Sequence, residues 1–169
     1  MHIQVFTTGG TIDKLYFDAK SEFAVGEPQI AEIFSTAGVS FTYDVEVLMR
    51  KDSLDLTDDD RALVAERVAG AEADRVLLTH GTDTMVETAK AVAAGLGPEP
   101  TKTVVLVGSL TPARFKATDA EFNVGFAAAA VQALAPGVYV AMNGRVFRPD
   151  AVQKNRALNR FEPAAPASP

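Results

Sequence analysis

The sequence predicts an α/β fold of three layers, in which a mostly parallel sheet is flanked by helices. Short apolar runs alternate with amphipathic or alanine-rich segments, which is the pattern of repeated βα units. The chain has 169 residues and 47% hydrophobic content, enough for one domain with a core on both sheet faces. We expect a single domain over residues 1–156 and a disordered Pro/Ala-rich tail over residues 157–169.

The first predicted elements are a strand, a helix and a second strand. The apolar run at residues 2–8 predicts the first strand. The helix begins at Pro28, a residue suited to a first turn, and ends before Gly38. Residues 41–48 form the next apolar run and are predicted as the second strand.

Thr57 and the three aspartates after it predict the start of the next helix. The hydroxyl can accept from free N–H groups, and carboxylates suit the positive end of the helix dipole. This helix runs to about Gly70 and leads to a third strand at residues 75–79. Its predicted inner face carries Leu63, Val64, Val68 and Ala71.

The second half of the chain repeats this alternation and then ends in a hairpin. Asn143-Gly144 favours a type I′ turn, so residues 145–148 are predicted to fold back as an antiparallel edge strand. Before it we expect an alanine-rich helix stopped by Gly95, Gly97 and Pro98, a strand at 103–107, a helix at 119–134 and a strand at 138–142.

Two threonine-rich turns, TTGGTID at residues 7–13 and HGTDTM at residues 80–85, each follow a predicted strand. Because the carboxyl ends of parallel strands meet at one edge of a sheet, both turns should lie where α/β proteins bind ligands. Glycines bring backbone N–H groups close to a ligand, and a hydroxyl beside such donors can attack a carbonyl while they hold the oxyanion. The pair of turns predicts acyl-transfer chemistry.

The two turns together resemble the signature motifs of the bacterial-type L-asparaginases. The resemblance implies the asparaginase N-terminal-domain fold, Thr11 as nucleophile with Gly10 beside it, and Thr82 and Asp83 opposite. Residues 142–155 resemble the family segment that runs to an active-site lysine, which implies a catalytic role for Lys154.

Two further segments resemble family segments but differ from them at one residue each. Residues 51–55 resemble the substrate loop, which implies that Ser53 binds the substrate carboxylate, but Leu54 stands where many relatives have a polar side chain. Phe23 stands at the place of the lid tyrosine that touches the nucleophile. Tyr16, earlier on the same segment, is an alternative source of that phenol, and it can equally pack the loop onto the core.

Composition excludes several other functions. The net charge is −6 and no basic cluster occurs, so nucleic acid and anionic membranes are poor partners. The chain has no cysteine, and His2 and His80 cannot form a metal cluster by themselves, so we expect no metal and no cofactor. His80 is expected to hydrogen-bond loop backbone. No signal-like segment or apolar run of membrane-spanning length is present, which predicts a cytoplasmic protein.

We also expect a mobile segment and an oligomer. Residues 13–26 are too long for an ordinary βα connection and are predicted to act as a lid over the site. The helix at residues 119–134 carries Phe122, Val124, Phe126 and Val131 beside a run of alanines, so it is apolar on more than one face and predicts a homodimer or higher homo-oligomer. Classical relatives have a second domain that supplies an acid to the neighbouring site.

The resemblance to L-asparaginases therefore implies an amidohydrolase that converts L-asparagine to L-aspartate and ammonia. One alternative is an amidase or esterase of other specificity on the same scaffold. Another is a non-catalytic module that binds asparagine or aspartate. A nucleotide-binding domain is the weakest alternative, because Gly9-Gly10-Thr11 lacks the G-x-G-x-x-G spacing and the P-loop lysine.

Overall fold

A computed structural model describes residues 1–17 and 22–164, with residues 16, 17, 22 and 23 described by their backbone alone. The strands are β1 (His2–Gly9), β2 (Lys14–Phe17), β3 (Glu22–Val25), β4 (Thr42–Lys51), β5 (Arg75–Thr79), β6 (Thr103–Val107), β7 (Gly137–Met142), β8 (Arg145–Phe147), β9 (Val152–Asn155) and β10 (Arg160–Pro163). The helices are α1 (Ile30–Ala37), α2 (Asp58–Gly70), α3 (Met85–Leu96) and α4 (Ala120–Ala133).

The central sheet has the order β4-β1-β5-β6-β7-β8. Its first five strands are parallel and β8 pairs antiparallel with β7, which confirms the predicted fold class. Two hairpins, β2–β3 and β9–β10, stand outside this sheet. Along the chain, the first hairpin follows β1 and the second follows β8.

Helices cover both faces of the sheet and enclose two apolar cores. On one face, α2 and α3 pack against side chains such as Phe6 and Leu78. On the other face, α1 and α4 pack against Ile3, Val5 and Leu77. Alternate residues of β1 therefore point into opposite cores, as the two-residue period of a strand requires.

The strand order places a switch point between β1 and β5. The chain leaves β1 for α1 on one face, whereas it leaves the neighbouring β5 for α3 on the other face. Neighbouring strands whose connections leave to opposite faces open a crevice at their carboxyl ends, and α/β proteins bind ligands there. Both threonine-rich turns lie at this crevice, since they follow β1 and β5.

Most predicted elements are confirmed within a few residues. Thr57 forms a capping box: its hydroxyl accepts from the Asp60 N–H at 3.2 Å, and the Asp60 carboxylate accepts from the Thr57 N–H at 2.9 Å. Asn143 and Gly144 have positive φ angles of 53° and 73°, and β8 folds back as predicted. None of the helices in residues 1–17 and 22–164 is long and apolar enough to cross a membrane.

Two expectations about individual elements were wrong. Helix α1 begins at Ile30, with Gln29 as its N-cap, two residues after Pro28. Leu63 is 42% exposed, because it lies one residue, about 100° of helix rotation, before the buried Val64. Ala71, also predicted on the inner face, is the C-cap of the helix and packs partly buried against the core, as expected.

Residues 157–164 differ from the predicted disordered tail. Strand β10 pairs antiparallel with β9, and Phe161 is buried in the same core as α2 and α3. A single large apolar side chain thus anchors a polar segment whose composition alone predicted disorder. Residues 165–169 lie outside the described part of the chain, as do residues 18–21 of the predicted lid, so lid motion stays a prediction.

Candidate active site

Three turns meet at the carboxyl edge of the sheet, packed backbone to backbone. A Cβ atom placed on Gly10 would lie 2.3 Å from the Cα of Gly81, and one placed on Gly81 would lie 2.6 Å from Oγ of Ser53. Such distances are far below van der Waals contact, so only glycine allows this approach. The turn at residues 9–13 after β1, called the nucleophile turn because it carries the predicted nucleophile Thr11, therefore forms one cluster with the second turn, residues 80–85 after β5, and with the Ser53 loop after β4.

Left-handed glycines shape the nucleophile turn. Gly9 and Gly10 have φ angles of 93° and 89°. The Gly10 N–H donates to the Lys51 carbonyl at 3.0 Å, which ties the turn to the end of β4. Thr11 then opens a short 3₁₀ turn, Thr11–Asp13, and its side chain is half-buried at the crevice.

Thr82, Asp83 and Lys154 form a connected group. The Lys154 ammonium donates to Oγ1 of Thr82 at 2.8 Å and to Oδ1 of Asp83 at 2.9 Å. The lysine side chain is 11% exposed and comes from β9, so the β9–β10 hairpin brings it to residues that are distant in sequence. The structure thus places together three of the residues predicted for the site.

A third charged side chain, Arg156, lies at the edge of this group. Its Nε is 3.9 Å from Oδ1 of Asp83, and its side chain is largely exposed. Lys154 contacts the same carboxylate oxygen. Both cations therefore act on one side of the Asp83 carboxylate.

Two asparagines hold the hairpin that carries Lys154, and the sequence analysis missed this role. Oδ1 of Asn143 accepts from the Phe161 N–H at 2.9 Å. Oδ1 of Asn123 accepts from the Asn143 N–H at 3.2 Å, and its Nδ2 donates to the Gly108 carbonyl at 3.1 Å. In the sequence, Asn123 could be singled out because its side-chain amide lies among the apolar residues that form the buried face of α4.

The Ser53 loop is fixed by backbone and side-chain contacts. Ser53 is buried, and its carbonyl accepts from the Thr84 hydroxyl at 2.6 Å. Asp52 forms an ion pair with Lys14 at 2.5 Å. Burial opposes ionisation of Asp52, but hydrogen bonds from Lys14 and the Leu54 N–H outweigh it and lower its pKa. Leu54 itself is 63% exposed and offers the site no polar atom.

His80 is a buried anchor, as predicted. Its Nδ1 is 2.7 Å from the Gly81 carbonyl, so Nδ1 carries the proton and donates. Its Nε2 is 2.7 Å from the Thr88 hydroxyl and accepts from it. Burial lowers the pKa of His80 to about 4, although the Gly81 hydrogen bond opposes this, so the ring is neutral near pH 7.

Asp13 is a buried carboxyl group that the sequence analysis placed only at the start of a loop. Its side chain is 2% exposed, and its Oδ1 accepts from the Gln29 N–H at 2.9 Å. The predicted phenol donor, Tyr16, belongs to β2, but its side chain and that of Phe23 lie outside the described part. Within the described residues, no group of three His, Asp or Glu side chains is arranged to hold a metal ion.

The chain matches known proteins over nearly its whole length. The family model "Asparaginase, N-terminal" matches residues 2–164. L-asparaginase of Thermococcus kodakarensis is 29% identical over 171 residues, which cover 96% of this chain and 51% of that protein. L-asparaginase 2 of Escherichia coli is 32% identical over 162 residues, which cover 86% of this chain and 44% of that protein.

A solved structure shows the same likeness in three dimensions. The probable cytoplasmic L-asparaginase from Campylobacter jejuni superposes with a TM-score of 0.81 at 29% identity, covering 96% of this chain and 52% of that one. The chain thus spans about half the length of the relatives that it matches.

Proposed function

The chain belongs to the asparaginase family, whose N-terminal domain it matches. We therefore propose that it hydrolyses L-asparagine to L-aspartate and ammonia, with Thr11 as the nucleophile. The observation that carries the proposal is the backbone contact between Gly10 and Gly81. It places the nucleophile turn directly against the turn that carries Thr82, at the switch point of the sheet.

The proposed reaction is acyl transfer in two steps. Oγ of Thr11 attacks the amide carbon of the substrate, and the tetrahedral intermediate expels ammonia to leave a threonyl ester. Water then attacks the ester carbon and releases aspartate and the free hydroxyl. The Gly10 N–H already donates to Lys51, so the N–H groups of Thr11 and Thr82 are the proposed oxyanion donors.

The charged groups of the site are proposed to orient the substrate. Ser53 binds the α-carboxylate, and Asp83 binds the α-ammonium. Because Lys154 and Arg156 both contact Oδ1 of Asp83, the substrate ammonium would meet Oδ2. One hydrogen bond between charged groups contributes on the order of 1.5–3 kcal/mol, so these contacts govern affinity.

Thr82 and Lys154 form the second half of the proposed machinery. The ammonium holds the Thr82 hydroxyl in one orientation and lies with little exposure to solvent. A hydroxyl held in this way can pass a proton between the substrate, the nucleophile and water. Lys154 also compensates the charge of Asp83, so removing it would leave a carboxylate without its closest partner.

One observation favours a second candidate, an amidase that accepts other ω-amides. Leu54 is largely exposed beside the buried Ser53, where a polar side chain would add a substrate contact. A site that makes fewer contacts to the α-carboxylate and α-ammonium of the substrate discriminates less between amides.

The same proposal includes a small-molecule substrate, a homo-oligomer and a cytoplasmic location. The oligomer is supported by α4, where Phe122 is 62% exposed and stacks on Phe126 with ring centroids 6.3 Å apart. The same helix lines, with α1, an open groove of about 450 Å³. Exposed apolar surface on one helix is typical of an interface between copies.

The test is ammonia release across a panel of asparagine, glutamine and simple ω-amides. We expect asparagine to be the best substrate, and Thr11→Ala and Thr82→Ala each to lower turnover on the order of a thousandfold or more. Thr101→Ala is the matched control, since this exposed threonine precedes β6 at the opposite edge of the sheet. Near-full activity of Thr11→Ala would refute the nucleophile, and ligand-induced stabilisation without turnover would support a binding module.

A further inference from the structure

Asp13 lies two residues after the proposed nucleophile, and the reaction described above gives it no part. The carboxyl group is buried at the end of the Thr11–Asp13 turn. Burial raises its pKa to about 6, although the hydrogen bond from Gln29 and the charge of Arg50 act in the opposite direction. A buried carboxylate is energetically unfavourable, and such groups concentrate at functional sites.

Three segments of the chain meet at this one residue. Its Oδ1 accepts from the Gln29 N–H at 2.9 Å, where α1 begins. Its carbonyl accepts from the Gly26 N–H at 2.8 Å, where the β2–β3 hairpin ends. Its own N–H donates to the Gly10 carbonyl at 3.2 Å, inside the nucleophile turn. Asp13 therefore joins the turn to the hairpin and to α1.

Few charged groups compete for this carboxylate. Arg50, at the end of β4, acts on it through space, but its guanidinium pairs with Glu27 at 2.7 Å. Lys14, the next residue along β2, pairs with Asp52. On α1 the one charged side chain is Glu32, in the first turn. The hydrogen bond from Gln29 is thus the main contact that stabilises the ionised form.

We propose that Asp13 is a positioning residue for Thr11, whose ionised carboxylate fixes the nucleophile turn between the hairpin and the start of α1. This inference rests on the proposed function, because it assigns Thr11 the reaction that Asp13 supports. An ionised acceptor makes a hydrogen bond roughly twice as strong as a neutral one. Protonation of Asp13 therefore weakens its hydrogen bond from the Gln29 N–H while the carboxyl group stays buried, and turnover falls as the pH drops through about 6.

The kinetic test compares the wild type with Asp13→Asn, which keeps size and an acceptor oxygen but removes the charge. We expect kcat about fivefold lower at pH 7.5, KM within about twofold, and loss of the acid limb of the kcat profile near pH 6. Asp44→Asn, at the start of β4 with an exposed side chain, is the control and should keep that limb. Persistence of the limb in Asp13→Asn overturns the proposal, because a purely structural role would lower activity without moving the profile.

Amide hydrogen exchange tests the tether without using activity. Opening of the tether exposes Asp13 to water, where its pKa returns to 3.8, so in the wild type protection of the Gln29 and Gly26 amides should rise about tenfold between pH 7.5 and pH 5 after correction for intrinsic rates. In Asp13→Asn the same protection should not depend on pH. A wild type that releases no ammonia from any amide refutes the proposed function, whereas pH-independent protection in the wild type overturns the role of Asp13.

Discussion

Replacing Asp13 by asparagine should stabilise the protein at neutral pH and leave its stability at pH 4 unchanged. The folded state raises the pKa of Asp13 from 3.8 to about 6, which corresponds to about 3 kcal/mol. A carboxyl whose folded pKa is raised contributes stability that is fully present below the unfolded pKa and is lost as the pH rises through the folded pKa. Asp13→Asn removes this loss, so its free energy of unfolding at pH 7.5 should exceed that of the wild type by up to about 3 kcal/mol.

His80 provides a second test, because its contribution to the free energy of unfolding changes with pH in the opposite direction to that of Asp13. The folded state lowers the pKa of His80 from 6.5 to about 4, again about 3 kcal/mol, and this stability is lost as the pH falls from 6.5 to 4. In the wild type the two contributions nearly cancel between pH 7.5 and pH 4. In Asp13→Asn the histidine acts alone, and the variant should lose about 3 kcal/mol over this range.

Urea unfolding followed by circular dichroism at pH 4, 5, 6 and 7.5 measures both effects. The two proteins should have the same free energy of unfolding at pH 4 and diverge above it. Equal stability at pH 7.5 would refute the reasoning, since it would mean that the Asp13 carboxylate is not penalised by burial. A gain that is the same at every pH would show that packing, and not ionisation, distinguishes the variants.

The remaining predictions concern contacts and assembly. Gly10→Ala should abolish activity and destabilise the fold by several kcal/mol, because its Cβ would clash with the second turn. The control is Gly38→Ala, where φ is also positive but nothing lies within 4 Å of the added Cβ. Comparing the thermal melts of the two variants separates the cost of backbone strain from that of the clash. Leu54→Gln should lower KM for asparagine about tenfold by adding a contact to a charged group, and an unchanged KM would show that another residue already supplies it. Sedimentation at micromolar concentration should give a mass at least twice 17.9 kDa. Phe122→Glu should shift that mass to the monomer, and a wild-type monomer contradicts the predicted oligomer.

The fold was predictable because its signals are local. Apolar runs bounded by glycine and proline identified the parallel strands, and Asn143-Gly144 identified the turn into β8. The convergence of Thr11 and Thr82 follows from topology alone, because parallel strands end at a common edge. Lys154 comes from a hairpin outside the sheet, so its place was predicted only through the family resemblance.

Other features depend on contacts between distant residues and left little trace in the sequence. From the sequence Asp13 is an ordinary loop aspartate, because its hydrogen-bond partners Gly26 and Gln29 follow it only after the β2–β3 hairpin. Phe161 lies in a segment of polar and small residues, yet it enters the core through pairing with β9. Asn123 is the one buried polar side chain of an alanine-rich helix, and its contacts with Gly108 and Asn143 reach two other loops.

The pairing of β1 with β4 shows why the spacing of residues in the sequence could not predict that Ser53 lies beside the nucleophile turn. Thr7 pairs with Val47, an offset of 40 residues, but Gly9 pairs with Lys51, an offset of 42, so β4 has two additional residues opposite the end of β1. This irregularity puts the Lys51 carbonyl against the Gly10 N–H and delivers the next residues to Gly81. A bulge of this kind re-aims a strand end near a site. The Ser53 loop and the nucleophile turn therefore lie at the same irregular end of the β1–β4 pairing, and a change in the register of β4 would separate Ser53 from Thr11 even with every site residue intact.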